Sequence, residues 1–197
     1  MQSRRKLWVG AVSLWVAASG VAALLVAEHR AGPKHLLTVA PKVLYRSGLL
    51  RPQNLENVID AFGIRTLVNL LPPESLAPDR LELLRAEERI AGERGLQLVG
   101  IPMPAETPPT QAQLDQWLAL FDDEQNLPIL VHCEFGVIRT GMMVAAYQIE
   151  KRGHTGKQAL EEMPRFGHDI DPPRRKPLRD FVLGYIRRAT SATAATP

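Results

Sequence analysis

The stretch His132-Cys133-Glu134-Phe135-Gly136-Val137-Ile138-Arg139-Thr140-Gly141 decides how the rest of the chain is read. It holds the only cysteine among 197 residues, and five residues separate Cys133 from Arg139. The apolar run Leu127-Pro-Ile-Leu-Val131 enters it like a buried strand, and Thr140-Gly-Met-Met-Val-Ala-Ala-Tyr-Gln-Ile149 leaves it like a helix. A strand, a tight loop and a helix start, in that order, build an anion site. Successive backbone N–H groups curl around an oxyanion, and the helix N-terminus adds partial positive charge. A sulfur held there is expected to be a thiolate near neutral pH, because such settings lower a cysteine pKa to roughly 3.5–7.5. Arg139 adds a planar fork for two phosphate oxygens. Gly136 supplies a position where φ can turn positive and the backbone can approach a ligand.

The pattern His-Cys-x5-Arg-Thr-Gly resembles the signature of the cysteine-dependent phosphatases, the protein tyrosine and dual-specificity superfamily. The wider chain is similar to the small bacterial dual-specificity-like branch over about residues 41–170. Tyr45-Arg-Ser-Gly48, Ile64-Arg-Thr-Leu-Val-Asn-Leu70, Ile101-Pro-Met103, Gly141-Met-Met-Val-Ala-Ala-Tyr147 and Ala159-Leu-Glu-Glu-Met163 carry that likeness. The resemblance implies that Cys133 is the nucleophile, Arg139 the phosphate clamp, and Thr140 the group that stabilises the departing thiolate. Glu134, Phe135, Gly136, Val137 and Ile138 would then line the substrate with Arg139. His132 is read as a hydrogen-bonding organiser of the loop. Two blander readings stand beside this one: a small buried cysteine with an arginine that pairs a carboxylate, and a rhodanese, whose loop is shorter and lacks the Arg-Thr ending.

Working outward, strands and helices alternate. Strands are expected at Val43–Arg46, Ile64–Leu71 and Leu96–Ile101, with helices at Leu55–Phe62 before Gly63 and Asp79–Arg94 before Gly95. Thr-x-x-Gln capping boxes open helices at Thr110 and Thr155, the first running to about Phe121 with Leu114, Trp117 and Leu118 at core spacing. Gly153 ends the signature helix, and a last helix covers roughly Leu178–Arg188. The expected fold is α/β, a central, largely parallel sheet flanked by helices, tyrosine-phosphatase-like, with the site at the carboxyl ends of the strands. The expected domains are an N-terminal membrane segment at 1–30, a linker at 31–41, the catalytic domain at 42–188 and a disordered tail at 189–197.

The membrane expectation rests on Leu7–Ala27, which carries no charge over 21 positions. As a helix it would be about 31 Å long, matching a hydrocarbon core of roughly 30 Å. Arg4-Arg5-Lys6 precede it, so the anchor reading places the catalytic domain on the extracytoplasmic side. A cleaved signal peptide is the alternative, although its apolar region is usually about 7–15 residues. The formal charge of +3 comes entirely from residues 1–30, since residues 31–197 hold 20 basic and 20 acidic side chains. No nucleic-acid partner is therefore expected. The five histidines lack metal-ligand spacing, a single cysteine excludes an internal disulfide, and neither metal nor organic cofactor is expected.

The general acid is the weakest part of the pattern. The family places an aspartate on a loop some tens of residues before the nucleophile. Here Pro102-Met-Pro-Ala-Glu-Thr-Pro-Pro109 has no aspartate, and Glu106, 27 residues before Cys133, is its only carboxylate. Asp169 and Asp171 are reserve candidates. The loop has no lysine or second arginine before Arg139, which favours a singly phosphorylated substrate. Phosphotyrosine in protein comes first, a phospholipid headgroup second. A phospho-ligand binding module without turnover is the reading from a different class. Arg174-Arg-Lys176, Arg179, Arg187 and Arg188 form a basic segment read as a solvated face or a contact for anionic headgroups. Tyr45-Arg46-Ser47 is read either as lining the substrate mouth or as packing at a strand end.

Overall fold

The computed structural model describes residues 35–163 and 173–187. Five strands form one sheet: β1 (Leu37–Ala40), β2 (Leu44–Gly48), β3 (Thr66–Asn69), β4 (Gln97–Gly100) and β5 (Ile129–Cys133). Their order across the sheet is β1-β2-β5-β3-β4. The strands from β2 to β4 run parallel, and β1 pairs antiparallel with β2 at the edge. The sheet is therefore mixed and mostly parallel. Leu37–Ala40 falls in the stretch expected to be a linker, and pairing with β2 makes it a strand instead.

Among the described residues there are six α-helices, packed on the sheet or on one another: α1 (Pro52–Phe62), α2 (Pro78–Arg94), α3 (Gln111–Ala119), α4 (Ile138–Arg152), α5 (Gly156–Glu162) and α6 (Lys176–Gly184). Both expected capping boxes are present, each with the Thr side chain accepting from the N3 amide and the Gln side chain accepting from the N-cap amide. Gly63, Gly95 and Gly153 end α1, α2 and α4 in the left-handed conformation. The helix expected to reach Phe121 ends at Ala119 and tightens into a 3-10 turn at Leu120–Asp122. The last helix was expected to extend to Arg188 but stops at Gly184.

Strand periodicity sorts the core into two layers. Leu67 and Leu130 face α1 and α2 with Leu55, Ile59 and Ile90; Val68, Ile129, Val131 and Cys133 face the other way, with Trp117, Met143 and Tyr147 of α3 and α4. The unbroken buried run Thr140–Ile149 is explained by a third layer, in which α5 and α6 cover Met142, Ala145 and Ile149 on the far side of α4. Trp117 bolts α3 to α4, its indole N–H donating to the Met143 carbonyl at 2.7 Å. β5 lies between β2 and β3 with all five residues buried, so its carboxyl end, and Cys133 with it, is fixed on both sides.

The expected single-pass membrane placement is corrected. Among the described residues no helix is long and apolar enough to cross a membrane. Residues 7–27, on which both the anchor and the extracytoplasmic orientation rested, lie outside the described residues. Neither has a span among the described residues to support it. Asp169, Asp171, Arg188 and the tail at 189–197 also lie outside the described residues.

Candidate active site

Cys133 is the last residue of β5, and α4 begins at Ile138, so the chain turns through only four residues between them. The turn closes because Gly136 takes a φ of +69°. A Cβ at that position would stand 2.4 Å from the Ser47 carbonyl carbon and oxygen, so the loop is seated directly on the end of β2. The Leu49 amide also donates to the Glu134 carbonyl at 3.1 Å. Gly136 turns its Cα toward β2 and its amide toward the Cys133 sulfur, while the other residues expected at the substrate line the cavity. Cys133, Glu134, Phe135, Val137, Ile138 and Arg139, together with Ala105, line one cavity of about 160 Å³.

Cys133 is only 4% exposed. Burial pushes its thiol up, but the Thr140 hydroxyl and the backbone N–H groups of Thr140, Val137 and Gly136 pull it down, and the net direction is below the ordinary 9.0. Among these donors the Thr140 hydroxyl has the largest effect, ahead of the three amides. Arg139 lines the same cavity, and its buried Nε has no partner among the described residues, a donor suited to an oxyanion. Glu134 lines the cavity too, and Arg80 of α2 sits 3.4 Å from its carboxylate, which offsets the repulsion expected of an acid at the mouth.

Beneath the loop, on the α2 face of β5, His132 Nε2 meets the Glu87 carboxylate at 2.9–3.0 Å. Both side chains are buried. Burial pushes the imidazole down, whereas the Glu87 carboxylate and the neighbouring sulfur push it up, and the net direction is up. His132 is thus an organiser held from behind. Glu87 was missed in the sequence, although it falls between Leu84, Ile90 and Ala91 on the buried face of α2, where an unpaired carboxylate would be costly.

Glu106 is not brought into the cavity. Its neighbour Ala105 lines the wall, while its own half-exposed carboxylate pairs with Arg174 Nε at 3.1 Å, from the 3-10 turn Pro173–Arg175. Arg46, left open between mouth and packing, is buried and donates to the Gly136 carbonyl at 2.5 Å.

The buried pair gives a signed pH dependence. His132 is raised on folding, so its contribution to stability is complete below the ordinary value of 6.5 and is lost as pH rises through the raised folded value. Breaking such a pair costs about 3–5 kcal/mol. Glu87→Gln should therefore be destabilised most below pH 6.5, with the gap to wild type narrowing at higher pH. Denaturant titrations across that range would show it, and a gap independent of pH would mean that His132 is neutral in the folded protein.

Known proteins place this architecture. A family model for a DSP-PTPase phosphatase fused to NAD+ kinase matches residues 45–170. The dual specificity protein phosphatase TpbA of Pseudomonas aeruginosa is 30% identical over 148 residues, covering 74% of this chain and 59% of that protein. The inositol diphosphatase DSP3 of Arabidopsis thaliana is 33% identical over 101 residues, 51% of this chain and 47% of its own. The chain thus spans about three fifths or less of the length of these curated relatives. Among solved structures, a cysteine-to-serine variant of P. aeruginosa TpbA in complex with phosphotyrosine matches with a TM-score of 0.55 at 26% identity, covering 76% of this chain and 88% of that one. With its strand, loop, cysteine, arginine and helix inside the matched stretch, this chain belongs to the cysteine-dependent dual-specificity phosphatase family.

Proposed function

We propose that the chain hydrolyses phosphomonoesters through a cysteinyl-phosphate at Cys133. The observation that carries this reading is a buried sulfur served by the loop amides of Gly136, Val137 and Thr140, in a cavity that Arg139 also lines. In the first step Sγ attacks phosphorus, the bond from phosphorus to the ester oxygen breaks, and that oxygen takes a proton from an acid. Arg139 and the loop amides hold the three non-transferring oxygens as charge shifts among them. In the second step water attacks phosphorus, its proton passes to the carboxylate left by the first step, and the thiolate departs, stabilised by Thr140. No metal or organic cofactor is required by this chemistry.

The preferred substrate is phosphotyrosine in protein. Phe135 is 54% exposed, and with Ala105, Val137 and Ile138 it gives the cavity apolar walls suited to an aryl group. The TpbA structure with phosphotyrosine supports the same choice, and the relative named an inositol diphosphatase makes inositol phosphates the competing substrate class. Turnover of phosphotyrosine peptides by the full chain should exceed that of phosphoserine peptides, phosphatidyl phosphates and inositol phosphates. Cys133→Ser should abolish it. Activity that survives in the serine variant would contradict the mechanism, and preference for a polyphosphorylated inositol would overturn the substrate choice.

Glu106 is proposed as the acid, which requires the loop to release it from Arg174. That ion pair also favours a second reading, a binding module that holds phosphate or vanadate without turning over even activated esters. Glu106→Gln should slow an ester with a poor leaving group by roughly 10²–10⁴ if the carboxyl donates the proton, with much smaller losses on activated esters. Equal, small losses on both would remove Glu106 from the mechanism.

A further inference from the structure

Arg46 belongs to β2, where Arg46 is in register with Val131 and Gly48 with Cys133. Alternation puts Arg46, Val131 and Cys133 on one face of the sheet, the face over which the phosphate loop folds. Arg46 is only 1% exposed, and a buried cation needs fixed partners. On the loop it finds two carbonyls, donating from Nη2 to Gly136 at 2.5 Å and to Val137 at 3.4 Å. It is not among the residues that line the cavity.

In a trans peptide the carbonyl and the amide that follows it point in opposite directions. A guanidinium that draws the Gly136 carbonyl outward therefore turns the Val137 N–H inward, and that N–H is one of the donors to the Cys133 sulfur. Its longer contact with the Val137 carbonyl adds to the 2.8 Å bond which that carbonyl accepts from the Gly141 N–H in the first turn of α4. Burial lowers the guanidinium to about 10 while the Cys133 sulfur pushes it up, so it stays cationic near neutral pH.

We propose that Arg46 is a positioning residue of the phosphate loop: by holding the Gly136 carbonyl it fixes the inward direction of the Val137 amide, which serves the sulfur and the transferring phosphoryl group. It acts through the loop and touches neither reacting atom. The inference rests on Cys133 being the thiolate nucleophile. The other charged groups about the sulfur are His132 from β5 with Glu87 of α2 behind it, and Glu134 and Arg139 from the loop and α4, all left unchanged in the variants below.

Because Cys133 is the only cysteine, the pH dependence of alkylation by iodoacetamide reads its thiolate directly and needs no substrate. In the full chain, Arg46→Met should raise the midpoint by about one pH unit, the size expected for loss of a hydrogen bond to a charged group. Protection by tungstate, an oxyanion probe, should weaken roughly tenfold, and kcat on an activated aryl phosphate should fall more than KM changes. Arg46→Lys keeps the charge without the planar fork and should recover only part of each effect. A wild-type midpoint at the ordinary 9.0 would overturn the thiolate reading and this inference with it. A lowered wild-type midpoint that Arg46→Met leaves in place would overturn the role of Arg46 alone. If circular dichroism shows Arg46→Met unfolded, Arg46→Lys decides: a raised midpoint supports the role, and a wild-type midpoint refutes it.

Discussion

A sulfur withdrawn from water can carry charge only where fixed donors replace the solvent it has lost. Cys133 is such a sulfur, and the inward-turned amides of the loop are its donors. The rest of the fold can be understood as the means of holding those amides still. A loop left free would point its N–H groups at water. This one is gripped at the front by the end of β5, at the back by β2 through Gly136 and Arg46, and at its exit by α4. The donors that favour the thiolate are the same ones that would meet the equatorial oxygens of a transferring phosphoryl group, so one arrangement serves both ground state and transition state. Because it exists before substrate arrives, little reorganisation is left for the chemical step.

The surroundings set limits on that device. The cavity has apolar walls and one carboxylate, Glu134, whose charge Arg80 offsets. That lining is what the proposed reading relies on for a singly phosphorylated ligand followed by an apolar group. The His132–Glu87 pair lies on the opposite face of β5 and steadies the strand just before Cys133 without reaching the cavity. The one movement the proposed chemistry requires is at the edge, where Glu106 must leave Arg174 to serve as an acid. The loop carrying Glu106 is pinned where it begins, by the Met103 amide on the Leu70 carbonyl and by Gln113 on the Pro102 carbonyl.

What could be read directly from the sequence was whatever depends on local chemistry. The spacing of Cys133, Gly136 and Arg139, the two Thr-x-x-Gln boxes and the glycines after α1, α2 and α4 each impose their conformation without help from elsewhere in the chain. Features created by pairing at a distance were not legible. Leu37–Ala40 is four residues ahead of a proline and is a strand only because β2 lies beside it. Glu87 looks like one more charge on a charged helix until His132 is placed under it. Arg46 offered two readings, because a strand-end arginine looks the same in sequence whether it faces water or a carbonyl. The membrane placement read from the apolar run at residues 7–27 and from Arg4-Arg5-Lys6 finds no supporting span among the described residues, outside which that run lies.

The central claim is that the Cys133 sulfur itself receives the phosphoryl group. The most direct measurement is acid quenching of the full chain during turnover of an activated aryl phosphate, followed by mass spectrometry of the peptide containing Cys133. The account predicts a transient species on that peptide, heavier by one phosphoryl group and bonded through sulfur, that forms and decays at rates consistent with turnover. Turnover with the peptide unmodified at every time point, or with the phosphoryl group on another residue, would contradict it.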